Sequence, residues 1–150
     1  MIRRAEISDL DAIRRCAEAA YAKYIERIGR KPAPMVADFA ALIEQNSVMV
    51  EVEDSERVRG FIVAYPRRDH LHLENVAVDP ACQGRGIGQR LVERVEQRAL
   101  ADGYDRIELY TNARMYENLA LYPKLGYSQF DRRIEDGFDR VYFGKNLEAS

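Results

Sequence analysis

The sequence predicts an α/β fold with a mixed central sheet of about seven strands flanked by about four helices. Three observations carry that expectation. The hydrophobic period changes from helical to two near Ser47, and back to helical near Gly86. Between Ser47 and Val78 lie three extended runs joined by short polar turns, the pattern of an antiparallel meander. The last of these runs then leads through a helix into another strand, and strands joined in that way pair in parallel through a right-handed crossover.

In chain order, residues 2–7 read as a short extended segment, and Ser8 with Asp11 has the spacing of a capping box. Leu10, Ile13, Ala17, Tyr21, Tyr24 and Ile28 recur at steps of three and four, so they form the core face of a first helix ending near Gly29. Arg30-Lys31-Pro32-Ala33-Pro34 is a loop, because its prolines break helix and ladder alike. A second helix is expected from about Met35 to Gln45, with Val36, Phe39, Ala40 and Ile43 apolar.

Val48, Val50 and Val52 alternate with Met49, Glu51 and Glu53; the turn Asp54-Ser55-Glu56 then leads into a second run from Val58 to Tyr65. A turn over 66–69 precedes the third run, Leu71 to Val78. Ile87, Leu91, Val95 and Ala99 stack at i+4 steps in a helix from Gly86 to Ala101, which Asp102-Gly103 closes. Ile107, Leu109 and Tyr110 belong to the next strand, and Met115 to about Tyr122 reads as a short helix. Tyr127 to Leu147 holds two extended segments around the hairpin signal Glu135-Asp136-Gly137.

A length of 150 residues suits one domain, 1–150, and 47% apolar content suits a globular core. The net charge of -2, with both signs interspersed, argues against a nucleic-acid footprint and points to small molecules or peptides as partners. Cys16 and Cys82 have neither zinc nor C-x-x-C spacing and read as ordinary thiols of a reducing compartment. Neither a signal peptide nor a membrane-spanning run is visible, so a cytoplasmic location without a membrane partner is expected.

The chemistry concentrates in LENVAVDPACQGRGIG, Leu73 to Gly88, where a strand stops at Asp79-Pro80 and a glycine-rich turn opens a helix. Such a turn is a candidate phosphate site, because free N–H groups and the favourable end of the helix dipole meet there. A dinucleotide fingerprint fails, since its third glycine would fall at Gln89; a P-loop also fails, since Gln89 stands five residues after Gly84. What matches is Q-x-x-G-x-G from Gln83 to Gly88.

That pattern after a V-x-V-x-P strand end, together with the element order, resembles the GNAT superfamily of acetyl-CoA-dependent N-acetyltransferases over essentially the whole chain. The resemblance implies the GNAT (acyl-CoA N-acyltransferase) fold, in which two parallel strands splay and pantetheine inserts between them like an added strand. It assigns the backbone of Val76, Ala77 and Val78 to pantetheine and the thioester carbonyl. Gly84, Arg85, Gly86, Ile87, Gly88 and Gln89, with Gln83 nearby, are assigned to the pyrophosphate.

Tyr122-Pro123-Lys124-Leu125-Gly126-Tyr127 resembles the family's Y-x-x-x-G-[FY] signature, which implies that Tyr122 protonates the departing CoA sulfur. Met115 stands where the family often carries a pantetheine-binding asparagine, leaving Asn118 or Asn112 for that role, and Pro123 disfavours helical geometry at Tyr122. Glu74 is the base candidate by resemblance, with His72 second and water as a third route for the amine proton.

Period two puts His70, His72 and Glu74 on one strand face; without a further ligand set, the reading assigns no metal. Arg27, Arg30 and Lys31 either steer an anionic acceptor or simply solvate a loop. The implied function is acetyl transfer from acetyl-CoA to a primary amine of a small molecule, by direct attack in a ternary complex. Transfer to a protein or peptide amine and a non-catalytic acyl-CoA sensor stay open as alternatives. Homodimerisation through the C-terminal strands is left undecided.

Overall fold

A computed structural model describes residues 1–54 and 57–148, so Ser55 and Glu56 of the expected turn lie outside the described residues. Its elements are β1 (Ile2–Arg4), α1 (Leu10–Ile28), α2 (Phe39–Glu44), β2 (Val48–Val52), β3 (Val58–Pro66), β4 (Leu71–Val78), α3 (Ile87–Ala101), β5 (Arg106–Asn112), α4 (Tyr116–Lys124), β6 (Ser128–Glu135) and β7 (Phe138–Asn146). The seven strands form one sheet in the order β1-β2-β3-β4-β5-β7-β6. Only the β4–β5 pair is parallel among these neighbours; the others are antiparallel.

The sheet separates two apolar layers. Ile13, Ala17 and Tyr21 of α1, with Phe39 and Ile43 of α2, pack on Val48, Val50, Phe61 and Val63 of the meander. On the other face Ile87, Leu91, Val95 and Ala99 of α3 pack on Ile62, Leu73, Ile107 and Leu109, so the i+4 stripe read from the sequence is the buried one. The Glu135-Asp136-Gly137 signal closes the β6–β7 hairpin, with positive φ at Asp136 (53°) and Gly137 (80°), as a two-residue I′ turn requires.

Three local expectations are corrected. The first helix does not start on a Ser8–Asp11 box: Ile7–Asp9 form a 3-10 turn, and the Asp9 carboxylate accepts the Glu6 N–H at 2.7 Å. Asp9 is the buried one of the two acids and is held by Arg3 at 2.8 and 3.0 Å, whereas Asp11 faces solvent. The second helix is interrupted. Ala33–Val36 form a 3-10 turn, Ala37 is extended, and α2 starts only after Asp38, whose carboxylate accepts the Ala41 N–H at 3.2 Å. Pro123 does not disturb helical geometry at Tyr122 either, because α4 runs on to Lys124. Near the end of a nine-residue helix a proline forfeits a single intrahelical bond, and Leu125 N–H still reaches Leu121 at 3.3 Å.

Two irregularities position the site. Strands β4 and β5 pair only at Leu71↔Ile107 and His72↔Glu108, then part, leaving the β4 edge open from Leu73 onwards. On the other side of β4 the register slips, so that Val63 faces Asn75 while Ala64 faces Leu73, which makes Glu74 the extra residue of a β-bulge. Leu73 and Val76 consequently both meet the α3 layer, three positions apart instead of two.

Candidate active site

The open edge of β4 lies between two cavities. Asp79 N–H donates to Arg59 O at 2.8 Å, which continues the register Gly60↔Val78 and Phe61↔Ala77. Hydrogen-bonded pairs alternate in an antiparallel ladder, so Ala77 turns its N–H and C=O to β3, while Val76 and Val78 turn theirs to the open edge. Of the three residues assigned to pantetheine, Val76 and Val78 are the ones whose backbone groups face the open edge. One cavity, about 370 Å³, runs from this edge to the start of α3; the other, about 360 Å³, lies under the loop joining α1 to α2. Tyr21, Val76 and Asn118 wall both.

The first cavity takes its walls from Val76, Ala77 and Val78, and from Gln83, Gly84, Gly86, Ile87, Gly88 and Gln89. Gly86 is the N-cap of the 15-residue helix α3 in left-handed geometry (φ 74°), which aims the first-turn N–H groups into the cleft. Ile87 buries its side chain in the core and offers only backbone there. Between left-handed Gly84 and Gly86 the Arg85 side chain turns to solvent and does not line the cleft.

The rim of this cleft explains the basic residues near the end of α1. Arg27 grips Glu117 of α4 through two hydrogen bonds of 2.8 and 3.1 Å, and Tyr24 O–H donates to the same carboxylate at 3.0 Å. Arg30 stacks on Phe138 and donates to the Asp136 carbonyl at 2.9 Å. Both arginines tie α1 to the far half of the molecule, and neither lines the second cavity. The Arg27 bonds hold the Glu117 carboxyl down at about 2, against 4.5 for a free glutamate. A depressed folded pKa gives stability that is complete above the unfolded value and disappears as pH falls through the folded one. Glu117→Gln is therefore expected to lower Tm slightly at pH 6, with the difference shrinking as pH falls towards 2, as read by thermal melts across that window.

The second cavity gathers the base and acid candidates, Glu74 and Tyr122. Glu74 Oε1 accepts the Tyr65 O–H at 2.9 Å, while its Oε2 is buried and finds no hydrogen-bond partner among the described residues. Burial, and then Glu74 itself, push the Tyr65 phenol up to about 12, so it stays a donor that orients the carboxylate. Beside Glu74, Tyr21 O–H donates to the Asn75 side-chain carbonyl and lies 3.0 Å from Val76 O, and Asn75 Nδ2 donates to Pro34 O at 3.1 Å. This network joins α1, the loop and the bulge.

Tyr122 lines the same cavity, its ring held by Tyr127 at 5.8 Å and Phe143 at 5.9 Å between centroids, and its hydroxyl bonds no described residue. Burial drives its phenol well above the usual range.

The profile of the acetyltransferase (GNAT) family matches residues 12–127. The chain belongs to the GNAT family. Mycothiol acetyltransferase of Jonesia denitrificans is 35% identical over 89 residues, which are 58% of this chain and 28% of that protein. The match thus spans little more than a quarter of that relative. Among solved structures, the PaiA N-acetyltransferase of Thermoplasma acidophilum, determined in complex with coenzyme A, superposes with a TM-score of 0.81 at 18% identity over 98% of each chain. The ribosomal-protein-S18-alanine N-acetyltransferase of Escherichia coli gives 0.73 at 20% identity, covering 100% of this chain and 95% of that one. Both likenesses concern the fold.

Within this GNAT chain the expected residues separate into two groups. Glu74 and Tyr122 wall the second cavity, Asn118 walls both cavities, and the glycine turn walls the first. Asn118 Nδ2 reaches Thr111 Oγ1 at 3.3 Å, whereas Asn112 spends its side chain on the Arg114 N–H and misses the first cavity.

His72 lies outside both cavities, between the rings of Tyr65 and Tyr110. Burial, then Arg67 and His70, pull its imidazole down to about 4. Among the described residues no three His, Cys, Asp or Glu side chains gather as a metal cage, and no helix is long and apolar enough to cross a membrane.

Sequence reasoning missed Tyr21, Asn75 and Tyr65. Tyr21 sits on the apolar stripe of α1 like any core tyrosine, and only the bulge, invisible to period counting, turns Asn75 towards it.

Proposed function

We propose that this GNAT chain transfers acetyl from acetyl-CoA to a primary amine of a small molecule by direct attack. The observation that carries the reading is the junction of two cavities at Tyr21, Val76 and Asn118, with an unpartnered buried carboxylate oxygen of Glu74 on one side and a helix-start phosphate cradle on the other. The first cavity has the chemistry that acetyl-CoA needs. The unpaired β4 edge offers Val76 and Val78 backbone groups to an extended pantetheine, and the α3 N–H groups suit its pyrophosphate.

Val78 N–H or Val76 N–H polarises the thioester carbonyl. Glu74 Oε2 accepts the proton that the attacking nitrogen sheds as the C–N bond forms. Tyr122 donates a proton to sulfur as the C–S bond breaks, so one proton leaves nitrogen and one arrives at the thiolate. Asn118 bonds pantetheine at the junction. No metal and no covalent enzyme intermediate enter this sequence. The acceptor cavity of about 360 Å³ is in the range of small-molecule sites, and the mycothiol acetyltransferase relative carries a small-molecule name.

Mass spectrometry of products from a mixed metabolite and peptide panel with acetyl-CoA tests the acceptor class. Acetylated metabolites are expected; acetylated peptides alone would overturn the small-molecule reading. The donor cleft has its own test. A β-branched side chain is strained at φ 74°, at a cost of about 1–2 kcal/mol for leaving the right-handed region. Gly86→Val is expected to raise KM for acetyl-CoA by tenfold or more with little change in KM for the amine, measured by steady-state thiol release.

A further inference from the structure

We infer that the acceptor carries an anionic group, a carboxylate or phosphate, and that Arg140 of β7 binds it. The inference rests on the acetyl-transfer reading above and names the class of amine that the second cavity takes.

Among the described residues, three carboxylate or basic side chains line that cavity: Asp38, Glu74 and Arg140. Asp38 is committed to capping α2. Glu74 supplies the unpartnered oxygen suited to an amine. Among the described residues Arg140 is the one cation of the wall, with only 14% of its side chain exposed.

Its guanidinium lies over the Tyr110 ring at 4.4 Å from the centroid, so its flat face is occupied and its N–H edges are left for a ligand. No hydrogen bond from those edges forms among the described residues, and the nearest carboxylates, Glu135 and Asp136, stand at 3.8 Å. Glu135 already accepts the Tyr142 O–H, and Asp136 is mostly in solvent. Two ion pairs at 3.8 Å with no hydrogen bond leave a largely buried fork of donors underused, and a carboxylate or phosphate is the group that fills it in bidentate fashion.

Past Tyr110 a third depression of about 380 Å³ carries Arg67, Arg68 and Arg133 against Asp69 and Glu108, with Arg133 paired to Asp131 at 2.6 Å. The cavity is thus dipolar: an amine at Glu74 and an anion at Arg140 match it. A polyamine would place a second cation against Arg140 and be repelled.

The test compares amines with and without an anionic tail: β-alanine against propylamine, and O-phosphoethanolamine against ethanolamine, with spermidine as the polycation. Amine-dependent thiol release is read for the native protein, Arg140→Gln and Arg140→Lys, with Tm recorded for each. We expect kcat/KM at least tenfold higher for the anionic member of each pair. Arg140→Gln should reduce that ratio to near one, mainly through KM, while Arg140→Lys retains part of it. Equal rates within pairs, a preference for spermidine, or an undiminished ratio in Arg140→Gln would overturn the assignment.

Calorimetric titration of the CoA-loaded protein with each pair separates this inference from the reading it rests on. If no amine is acetylated, binding of the anionic members that Arg140→Gln abolishes still supports Arg140, and its absence refutes it.

Discussion

Replacing Tyr122 with phenylalanine is expected to lower kcat about a hundredfold, with KM for acetyl-CoA nearly unchanged. Proton delivery by a positioned side chain contributes typically about 10² to 10⁴ in rate, and a thiolate is a fair leaving group, which places this case at the low end. Phenylalanine keeps the ring that packs against Tyr127 and Phe143, and the lost hydroxyl bonds no described residue, so stability should hold. Burial raises the phenol pKa, so Tyr122 is protonated across the working range and no pH adjustment can supply the missing proton source. Steady-state kinetics beside a melting curve checks the prediction. An unchanged kcat in a folded variant removes Tyr122 from the acid role.

Glu74→Gln is expected to lower kcat/KM for the amine about a hundredfold at pH 7. The amide carbonyl can still accept the Tyr65 O–H now held at 2.9 Å, so the bulge and the cavity wall persist. The other position becomes an NH₂ donor and can no longer receive a proton. Because the amine must lose its proton before or during attack, the deficit should shrink as pH rises towards the pKa of the amine and solvent deprotonates it instead. A deficit constant with pH would assign Glu74 to binding rather than proton transfer.

Much of this arrangement was legible in the sequence because it follows from period and punctuation. The switch at Ser47 marked the meander, the i+4 row from Ile87 marked α3, and Asp136-Gly137 marked the hairpin. Gln83 to Gly88 marked a candidate cradle by its Q-x-x-G-x-G spacing between a strand end and the start of α3. What stayed hidden depends on irregularity. The bulge at Glu74 moves one residue out of register, a change that alternation cannot report, and it brings Asn75 to Tyr21 and aims Glu74 into the cavity. Arg140 was hidden for a different reason. It reads as a polar residue of a strand exposed on one face, and its role appears only once Tyr110 of a neighbouring strand lies beneath it. Helix starts were misplaced where the choice among Ser8, Asp9 and Asp11 turned on burial beside Arg3.

The most direct measurement is calorimetric titration of the purified protein with acetyl-CoA, CoA and NADH, followed in the same sample by thiol release on adding amines. The account predicts binding of acetyl-CoA and CoA but not NADH, and thiol release that depends on the amine. Failure to bind either CoA species would contradict the assignment of the cleft between β4 and α3, and binding without release for any amine would contradict catalysis.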